Sequence, residues 1–369
     1  MGPTSFVIHC ERDDVFLRGH EACTLTHVAR RLADLLGCPF AGRHDRRRRY
    51  PGKLFVFAVD PLLPPVARAL GVTSAADLFG SVVPHPLVGT KAITHGLVHA
   101  RAARPPGWPS AFAARVREAV LPGYTVFSAR DARTAITRLL RGGAVRAKDP
   151  RGAASRGQTV IDHPRDLDKL LESWDREALA RHGLVLERNL ARVRCLSVGQ
   201  VSAAGLVVSY HGVQRETLGN DERPTYGGSE LVCVRGGWDA LERLDLSPEV
   251  RHAVAQARIY DAATEVFPGF IASRRNYDVG QGADADGRAY AGVFEASWRP
   301  GGASGAEVAA LQAFAADPAA ERVDVATVER HGEDFEPPAD ACVHFNRVDP
   351  TSGPALRYTR IAAIVRRVA

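Results

Sequence analysis

The chain has 369 residues, of which 45% are hydrophobic, 24% charged and 7% aromatic, and its formal net charge is +6. This composition is typical of a globular protein of two or three domains, and it excludes a disordered, collagen-like or disulfide-dense chain. The sequence has no uncharged apolar run of about 18 residues and its first residues lack the blocks of a secretory signal, so we expect a cytoplasmic protein without a membrane partner.

The first part of the chain alternates strand and helix patterns. A short apolar run at 6–9 predicts a strand, and apolar residues at helical spacing then predict a helix that stops at Gly37. A second strand is predicted at 54–59 and a short helix at 61–70. These elements predict an N-terminal α/β domain over residues 1–88.

The middle of the chain mixes both patterns without an internal repeat. The predicted strands are 124–127, 144–148, 159–161, 183–186, 196–201 and 205–210, and the predicted helices are 130–140, 164–171 and 250–267. The fold class is therefore α/β and α+β.

Cysteine and basic residues limit the partners. Six scattered cysteines without C-x-x-C spacing support neither a zinc site nor a disulfide framework. The basic stretch at 43–49 is most simply a solvated loop, with contact to an anionic ligand or nucleic acid as the alternative. Only four of the 48 basic residues are lysines. Arginine does not replace the compact ammonium of lysine as a point charge on phosphate, so each lysine is of interest.

One lysine precedes a glycine-bearing loop. Lys148 ends a predicted strand, and Gly152, Ser155 and Gly157 follow before the next strand. The backbone N–H groups of such a loop can hold phosphate oxygens while the lysine supplies charge. A hairpin loop without a ligand is the simpler interpretation, and the P-loop pattern is excluded because the lysine precedes the glycines.

A candidate metal site lies in the segment 271–302. Its Asp286-Gly287 dipeptide is typical of a two-residue hairpin turn. That turn would oppose three pairs on one face of the hairpin: Asp278 with Glu295, Asn276 with Ser297, and Arg274 with Arg299. Opposed carboxylates repel each other, so we expect a cation between them, and such oxygen ligands suit Mg²⁺ or Mn²⁺ beside substrate phosphates. A solvated hairpin or a salt-bridge cluster is the alternative.

These segments together resemble the ATP-grasp superfamily. The resemblance covers about residues 88–305 and includes the lysine strand with its loop, the apolar strand that ends in Glu187, and the hairpin with its acids, arginines and following glycines. Within the superfamily the chain is similar to an uncharacterised bacterial family that carries YGGS, SRRNYD and EASWRPGGASGAE segments, here 226–229, 273–278 and 295–307.

The resemblance implies an ATP-grasp fold in three parts. A Rossmann-like domain of the kind that precedes ATP-grasp would occupy 1–88, a lid and nucleotide subdomain 89–195, and a central and C-terminal subdomain with the metal site 196–369.

The resemblance also implies residue roles. The residues expected to bind ATP are Lys91, Lys148, Gly152, Ser155, Gly157, Glu187 and Leu190, the last two at the adenine hinge. Asp278 and Glu295 would hold the metal, with Ser297 where the family usually has asparagine. A serine is a weaker metal ligand than asparagine, and arginines stand where an acid often binds ribose.

The implied activity is that of an ATP-dependent ligase. A small-molecule carboxylate would become an acyl phosphate and then react with an amine or a thiol, with Arg299 and Arg274 on the transferring phosphoryl group. Candidate substrate contacts in glycine-bearing loops are Glu21, the pair Gln214-Arg215, Tyr226 and Ser229. An ATP-dependent kinase and a nucleotide-binding regulatory protein without turnover are the alternatives, and a homodimer is the default assembly.

Overall fold

The computed structural model describes residues 4–11, 19–152, 157–332 and 335–367. Within these ranges the strands form four β-sheets. The strands are β1 (Ser5–His9), β2 (Phe40–Arg43), β3 (Leu54–Ala58), β4 (Leu78–Phe79), β5 (Ser81–Val82), β6 (Gly123–Val126), β7 (Val145–Lys148), β8 (Gln158–Ile161), β9 (Leu184–Arg188), β10 (Ala191–Ala203), β11 (Leu206–Leu218), β12 (Pro224–Arg235), β13 (Ile271–Ala272), β14 (Arg274–Ala283), β15 (Ala289–Ser297), β16 (Ala320–His331), β17 (Cys342–Asp349) and β18 (Gly353–Arg366).

The α-helices lie between these strands in the chain. They are α1 (His20–Leu35), α2 (Pro64–Ala69), α3 (Ser110–Arg115), α4 (Ala129–Leu139), α5 (Pro164–Glu172), α6 (Arg176–His182), α7 (Trp238–Glu242), α8 (Pro248–Ala262) and α9 (Ser304–Ala316). Over the part of the chain that the structure describes, none of the helices is long and apolar enough to span a membrane.

The N-terminal sheet is parallel, with strand order β2-β1-β3-β4. Its central strands are mostly apolar because both faces are covered, as Phe6, Val7 and Phe57 show by being fully buried. The strands predicted at 6–9 and 54–59 and the helix that follows the first of them are confirmed. Strand β2 is not among the predicted elements.

A small antiparallel sheet, with order β6-β9-β7-β8, carries the lysine loop. Helix α4 packs on it, and the Ser128 hydroxyl caps that helix by accepting a hydrogen bond from Asp131 N. The strands and helices predicted between 124 and 186 are confirmed to within a few residues at their ends. This sheet places Lys148 at the end of β7, beside Glu187 on β9.

The large sheet has eight strands in the order β15-β14-β10-β11-β12-β16-β18-β17. Polar side chains cross one of its faces from edge to edge, in register except between β10 and β11, where Ser197 is opposite Gly212 and Gln214 lies two residues further along. This polar row consists of Glu295, Asp278, Ser197, Gln214, Ser229, Thr327, Thr359 and Cys342. Helix α9 is almost entirely buried and packs against the same sheet.

The N-terminal unit and the large sheet share one hydrophobic core. Residues of α1 such as Leu25 and Leu32 belong to the same buried cluster as Leu311 and Phe314 of α9 and Val325 of β16. Packing of this kind fixes α1 over the far edge of the large sheet. The expected boundaries at 88 and 195 stay a prediction, and β10 already begins at Ala191.

Candidate active site

The hairpin of β14 and β15 has the predicted pairing at its acids. Asn276 is opposite Ser297, and Asp278 is opposite Glu295. The predicted two-residue turn is wrong, because the strands close at Ala283 and Ala289 around a longer loop, 284–288. A buried carboxylate builds that loop: Asp284 Oδ1 accepts hydrogen bonds from the backbone N–H groups of residues 286 and 288, both at 3.0 Å.

A β-bulge at Phe294 restores the pairing. Asp278 is opposite Glu295 while Val279 is opposite Val293, so Phe294 is the extra residue of its strand. The bulge cancels the one-residue difference that the longer loop introduces, and for that reason the acids face each other as predicted. The ring of Phe294 lies against Gly280, where an added Cβ would collide with it.

The two acids lie at one end of the polar row, and the nearby Lys91 ammonium pairs with Glu295. Asp278 accepts a hydrogen bond from Gln214 Nε2 at 2.6 Å, and Glu295 lies 3.1 Å from Lys91 Nζ. Burial and the charge of Glu295 raise the pKa of Asp278 to about 6. Two opposed carboxylates fit a divalent cation such as Mg²⁺, since hard oxygen ligands are what this ion takes.

Two buried lysines converge on this hairpin. The Lys91 side chain is only 6% exposed and also donates to the carbonyl oxygen of Gly152. The Lys148 side chain is 4% exposed, forms an ion pair with Glu187, and lies 4.4 Å from the ring centroid of Phe294. The bulged phenylalanine therefore connects the lysine strand with the acid hairpin.

Glu187 is the counter-ion of Lys148. Its second oxygen lies 2.9 Å from His95 Nε2, and its side chain is fully buried. Burial alone would raise the pKa of Glu187, but Lys148 and His95 lower it to about 2. The carboxylate thus lies beneath the lysine, and the expectation that Glu187 and the following backbone through Leu190 bind adenine stays a prediction.

The glycines of the lysine loop close a turn after β7. Gly157 has a φ of +72°, and its carbonyl oxygen accepts a hydrogen bond from Asp149 N at 2.9 Å. The carbonyl oxygen of Gly152 accepts a hydrogen bond from the Lys91 ammonium. Ser155, which is expected in the same loop, lies outside the described residues.

Arg274 is in a different place from the one its expected catalytic role requires. Its guanidinium is fully buried and bonds both carboxylate oxygens of Glu307 on α9, with Nε 3.0 Å from each. Its Nη1 donates to the carbonyl oxygens of Ser297 and Arg299, at 3.0 and 2.6 Å. Arg274 therefore anchors the end of β15, because its guanidinium is bound to Glu307 and to the backbone carbonyls of Ser297 and Arg299.

The same guanidinium weakens the case for Ser297 as a metal ligand. Arg274 Nη1 lies 3.0 Å from Ser297 Oγ and donates to it. A cation at that hydroxyl would lie next to a permanent positive charge. Asn276, which is opposite Ser297, donates its Nδ2 group to Ser197 and Tyr210, at 3.3 and 3.2 Å.

Arg299 is half-buried at the mouth of the hairpin. Its position is fixed on both sides, because Trp298 is buried among aromatic rings and the Arg299 carbonyl oxygen accepts from Arg274. Gly301 and Gly302 follow and lead into α9. This segment lies against Tyr226, since a Cβ at Gly302 would meet the tyrosine ring.

The candidate substrate contacts divide into two groups. Tyr226 OH lies 2.7 Å from Ser229 Oγ, and both are beside Thr327 at the polar row. Gln214 also faces that row, whereas the adjacent Arg215 points to the opposite face and forms an exposed ion pair with Glu230 at 2.8 Å. Glu21 lies in the first turn of α1, the helix that packs on β17 at the edge of the sheet opposite the acids.

Sequence reasoning missed three partners of the site: His95, Phe294 and Glu307. A signal exists for Glu307, because a single acid within an otherwise apolar helix requires a buried cation. The bulge at Phe294 and the pairing of His95 with Glu187 depend on contacts between distant segments, and no local pattern indicates them.

Three solved structures share this architecture. The N5-carboxyaminoimidazole synthetase of Staphylococcus aureus complexed with ADP is 13% identical over 98% of this chain and 94% of that chain, with a TM-score of 0.53. The biotin carboxylase domain of the Hydrogenobacter thermophilus 2-oxoglutarate carboxylase, in complex with MgADP and bicarbonate, is 14% identical over 98% of this chain and 87% of that chain, with a TM-score of 0.55. The Campylobacter jejuni biotin carboxylase is 13% identical over 97% and 87%, with a TM-score of 0.55.

These similarities establish that the chain has the ATP-grasp fold, and at such identities they extend to the fold alone. No curated protein matches the chain significantly. One family model matches residues 7–359, almost the whole length. The chain therefore belongs to the family described as protein of unknown function (DUF3182).

Proposed function

We propose that this protein is an ATP-dependent ligase that activates a carboxylate as an acyl phosphate for attack by an amine or a thiol. The observation that carries the proposal is the convergence of two buried lysines, Lys91 and Lys148, on the hairpin where Asp278 and Glu295 face each other. Buried ammonium groups next to paired carboxylates suit the phosphates and the metal of a nucleotide. The complexes of the structural relatives with ADP and MgADP support this choice of ligand.

In the proposed complex the lysines hold the phosphates. Lys91 would exchange its contacts with Glu295 and the Gly152 carbonyl for phosphate oxygens, and Lys148 would keep Glu187 as its counter-ion. Asp278 and Glu295 would hold Mg²⁺ or Mn²⁺, which when bound neutralises charge on the phosphates. We leave Ser297 out of the ligand set because Arg274 donates to its hydroxyl.

The chemical steps follow from that arrangement. A carboxylate oxygen of the substrate attacks the γ-phosphorus, the bond to the β-phosphate oxygen breaks, and ADP leaves. The amine then attacks the acyl carbon, phosphate leaves, and the nitrogen loses a proton. Arg299 at the mouth of the hairpin would meet charge on the transferring group, while Arg274 holds the Arg299 backbone in place.

The acceptor would lie along the polar row. Ser229, Tyr226 and Gln214 face this part of the sheet beside the Gly301-Gly302 segment. Hydroxyl and amide groups at fixed positions bind a polar substrate and orient it toward the carbonyl carbon of the acyl phosphate. Arg215 and Glu21 are not required for this arrangement.

The test is ADP formation from Mg-ATP with a panel of carboxylates and amines. Asp278→Asn and Glu295→Gln should each lower turnover by about 100-fold or more. Glu265→Gln, a matched carboxylate-to-amide change at a side chain that is 80% exposed, should leave turnover unchanged.

The products decide between the proposed reaction and a kinase. A ligase releases ADP and free phosphate together with an amide or thioester, whereas a kinase leaves a stable phosphorylated product. Unchanged turnover in both acid variants, with turnover present in the wild type, would contradict the metal assignment.

A further inference from the structure

A second group of metal-binding side chains lies at the opposite edge of the large sheet, where α1 packs on β17. Its members are His27 on the helix and Cys342 and His344 on the strand. Their ligand atoms all lie within 4.8 Å of one another, and His27 Nε2 is 3.2 Å from Cys342 Sγ. The proposed ligase chemistry does not use these residues.

The geometry is close to what a tetrahedral ion requires. Cys342 lies on the strand, His344 is the bulged residue two positions further on, and the ligand atoms of both lie near His27 of the helix. Zinc bound at about 2.0–2.1 Å to nitrogen and about 2.3 Å to sulfur sets such ligands roughly 3.5 Å apart. Small side-chain movements are enough to bring this group to that spacing.

The imidazole rings are held in place without an ion. They stack with centroids 4.6 Å apart, and His344 Nε2 lies 2.9 Å from the hydroxyl oxygen of Thr359, a buried residue. When His344 donates its Nε2–H to Thr359, the lone pair of Nδ1 is free for a metal, which is the usual second contact of a metal-binding histidine.

The charge of the surroundings selects among metals. Arg30 lines a cavity beside the group and places a positive charge next to it. On binding, the Cys342 thiol would release its proton to solvent and so offset part of this positive charge. A thiolate with two imidazoles favours Zn²⁺ over Mg²⁺, in contrast to the oxygen ligands at Asp278 and Glu295.

A fourth coordination position is available on the cavity side. The cavity has a volume of about 280 Å³ and is lined by Ala22, Cys23, Thr26, His27, Arg30 and His344. Cys23 lies one helical turn before His27, but its Sγ accepts a hydrogen bond from Arg347 at 3.1 Å. Water from the cavity is therefore the expected fourth ligand.

We propose that His27, Cys342 and His344 form a Zn²⁺ site that ties α1 to the edge strand β17. The proposal does not depend on the proposed ligase activity, because the two sites share no residue. Zinc would cross-link the N-terminal unit to the large sheet at the end of the polar row.

The test is titration of the metal-stripped full chain with Zn²⁺ in competition with a chromophoric chelator. The wild type should bind one Zn²⁺ per chain. Cys342→Ser and His344→Ala should each weaken binding by about 10- to 100-fold or more. Cys23→Ser, a thiol-to-hydroxyl change in the same cavity, should bind as the wild type does, and so should Asp278→Asn.

A spectroscopic readout separates ligation from a structural effect. The Co²⁺ form of the wild type should show a thiolate-to-cobalt charge-transfer band that Cys342→Ser lacks, while both proteins keep the same circular dichroism. Equal Zn²⁺ affinity in the wild type and Cys342→Ser, or a band that disappears with Cys23→Ser, would overturn the assignment.

Discussion

In the two halves of the candidate active site, the surroundings shift the pKa of a carboxylate in opposite directions. Glu187, on the lysine side, is surrounded by Lys148 and His95, which hold its pKa down at about 2. Asp278, on the hairpin side, is half-buried opposite another acid, and its pKa rises to about 6. Glu187 has cationic partners within the protein, whereas Asp278 faces a second acid.

This difference distinguishes a structural group from a ligand-binding group. A buried acid with its own cations stabilises the fold, and losing it leaves those cations without a partner. A buried acid facing a second acid costs stability, and only an external cation can recover that cost. The hairpin is therefore where we expect a metal, and the lysine side is the rigid support beside it.

The largest expected effect is on the satisfied side. Glu187→Gln should lower the free energy of unfolding by about 3–5 kcal/mol, because Lys148 stays buried without a counter-ion. Chemical denaturation at neutral pH measures this loss. Because the folded-state pKa is lowered, the contribution of Glu187 is present above about pH 4.5 and disappears as the pH falls toward about 2.

Glu177→Gln is the matched control for that change. The Glu177 side chain is 86% exposed on α6 and pairs loosely with Arg181 at 3.9 Å, so its loss should stay within about 0.5 kcal/mol. Equal losses in the two variants would show that Glu187 is not the counter-ion on which the lysine side depends.

The second effect has the opposite sign. Asp278→Asn should raise the stability of the metal-free protein by up to about 3 kcal/mol above pH 6, because it removes the repulsion from Glu295 and keeps an oxygen for Gln214. A raised folded-state pKa means that the wild type loses stability as the pH rises from about 4 to about 6, so the gain should vanish below about pH 4.

Melting temperatures with and without Mg²⁺ sharpen this prediction. Mg²⁺ should raise the melting temperature of the wild type and not that of Asp278→Asn. Asp286→Asn, an exposed acid in the same hairpin loop, is the control and should behave as the wild type does. A variant that is less stable than the wild type at pH 8 would mean that the pair is not strained.

The smallest effect concerns the link between the two halves. Phe294→Leu removes the ring beside the Lys148 ammonium and should cost about 1 kcal/mol, seen as a several-fold higher KM for ATP with kcat little changed. Phe335→Leu removes a comparable ring beside Arg330 and should leave the KM for ATP unchanged. A KM equal to that of the wild type in both variants would separate Phe294 from nucleotide binding.

Much of the fold and of the site could be predicted from local sequence patterns. Many strands and helices of the first 210 residues follow from apolar runs and helical spacing, although β2, α3 and α6 were not predicted. The pairing of Asp278 with Glu295 follows from strand alternation. That pairing was predicted from the wrong turn and is correct only because the bulge at Phe294 supplies the missing residue. Beyond Gly302 no element was predicted, although Val323 and Val325 alternate as a strand requires.

The sequence by itself determined that this chain contains a lysine strand, a glycine-bearing loop and an acid hairpin, because these depend on residues close together in the chain. The tertiary structure decided that Arg274 forms an ion pair with Glu307, that Glu187 forms one with Lys148, and that His27 lies beside Cys342 and His344. Each of these pairings joins residues that are tens or hundreds of positions apart. Burial makes an unpaired charge costly, and only the packed arrangement of strands and helices determines which partner is within reach.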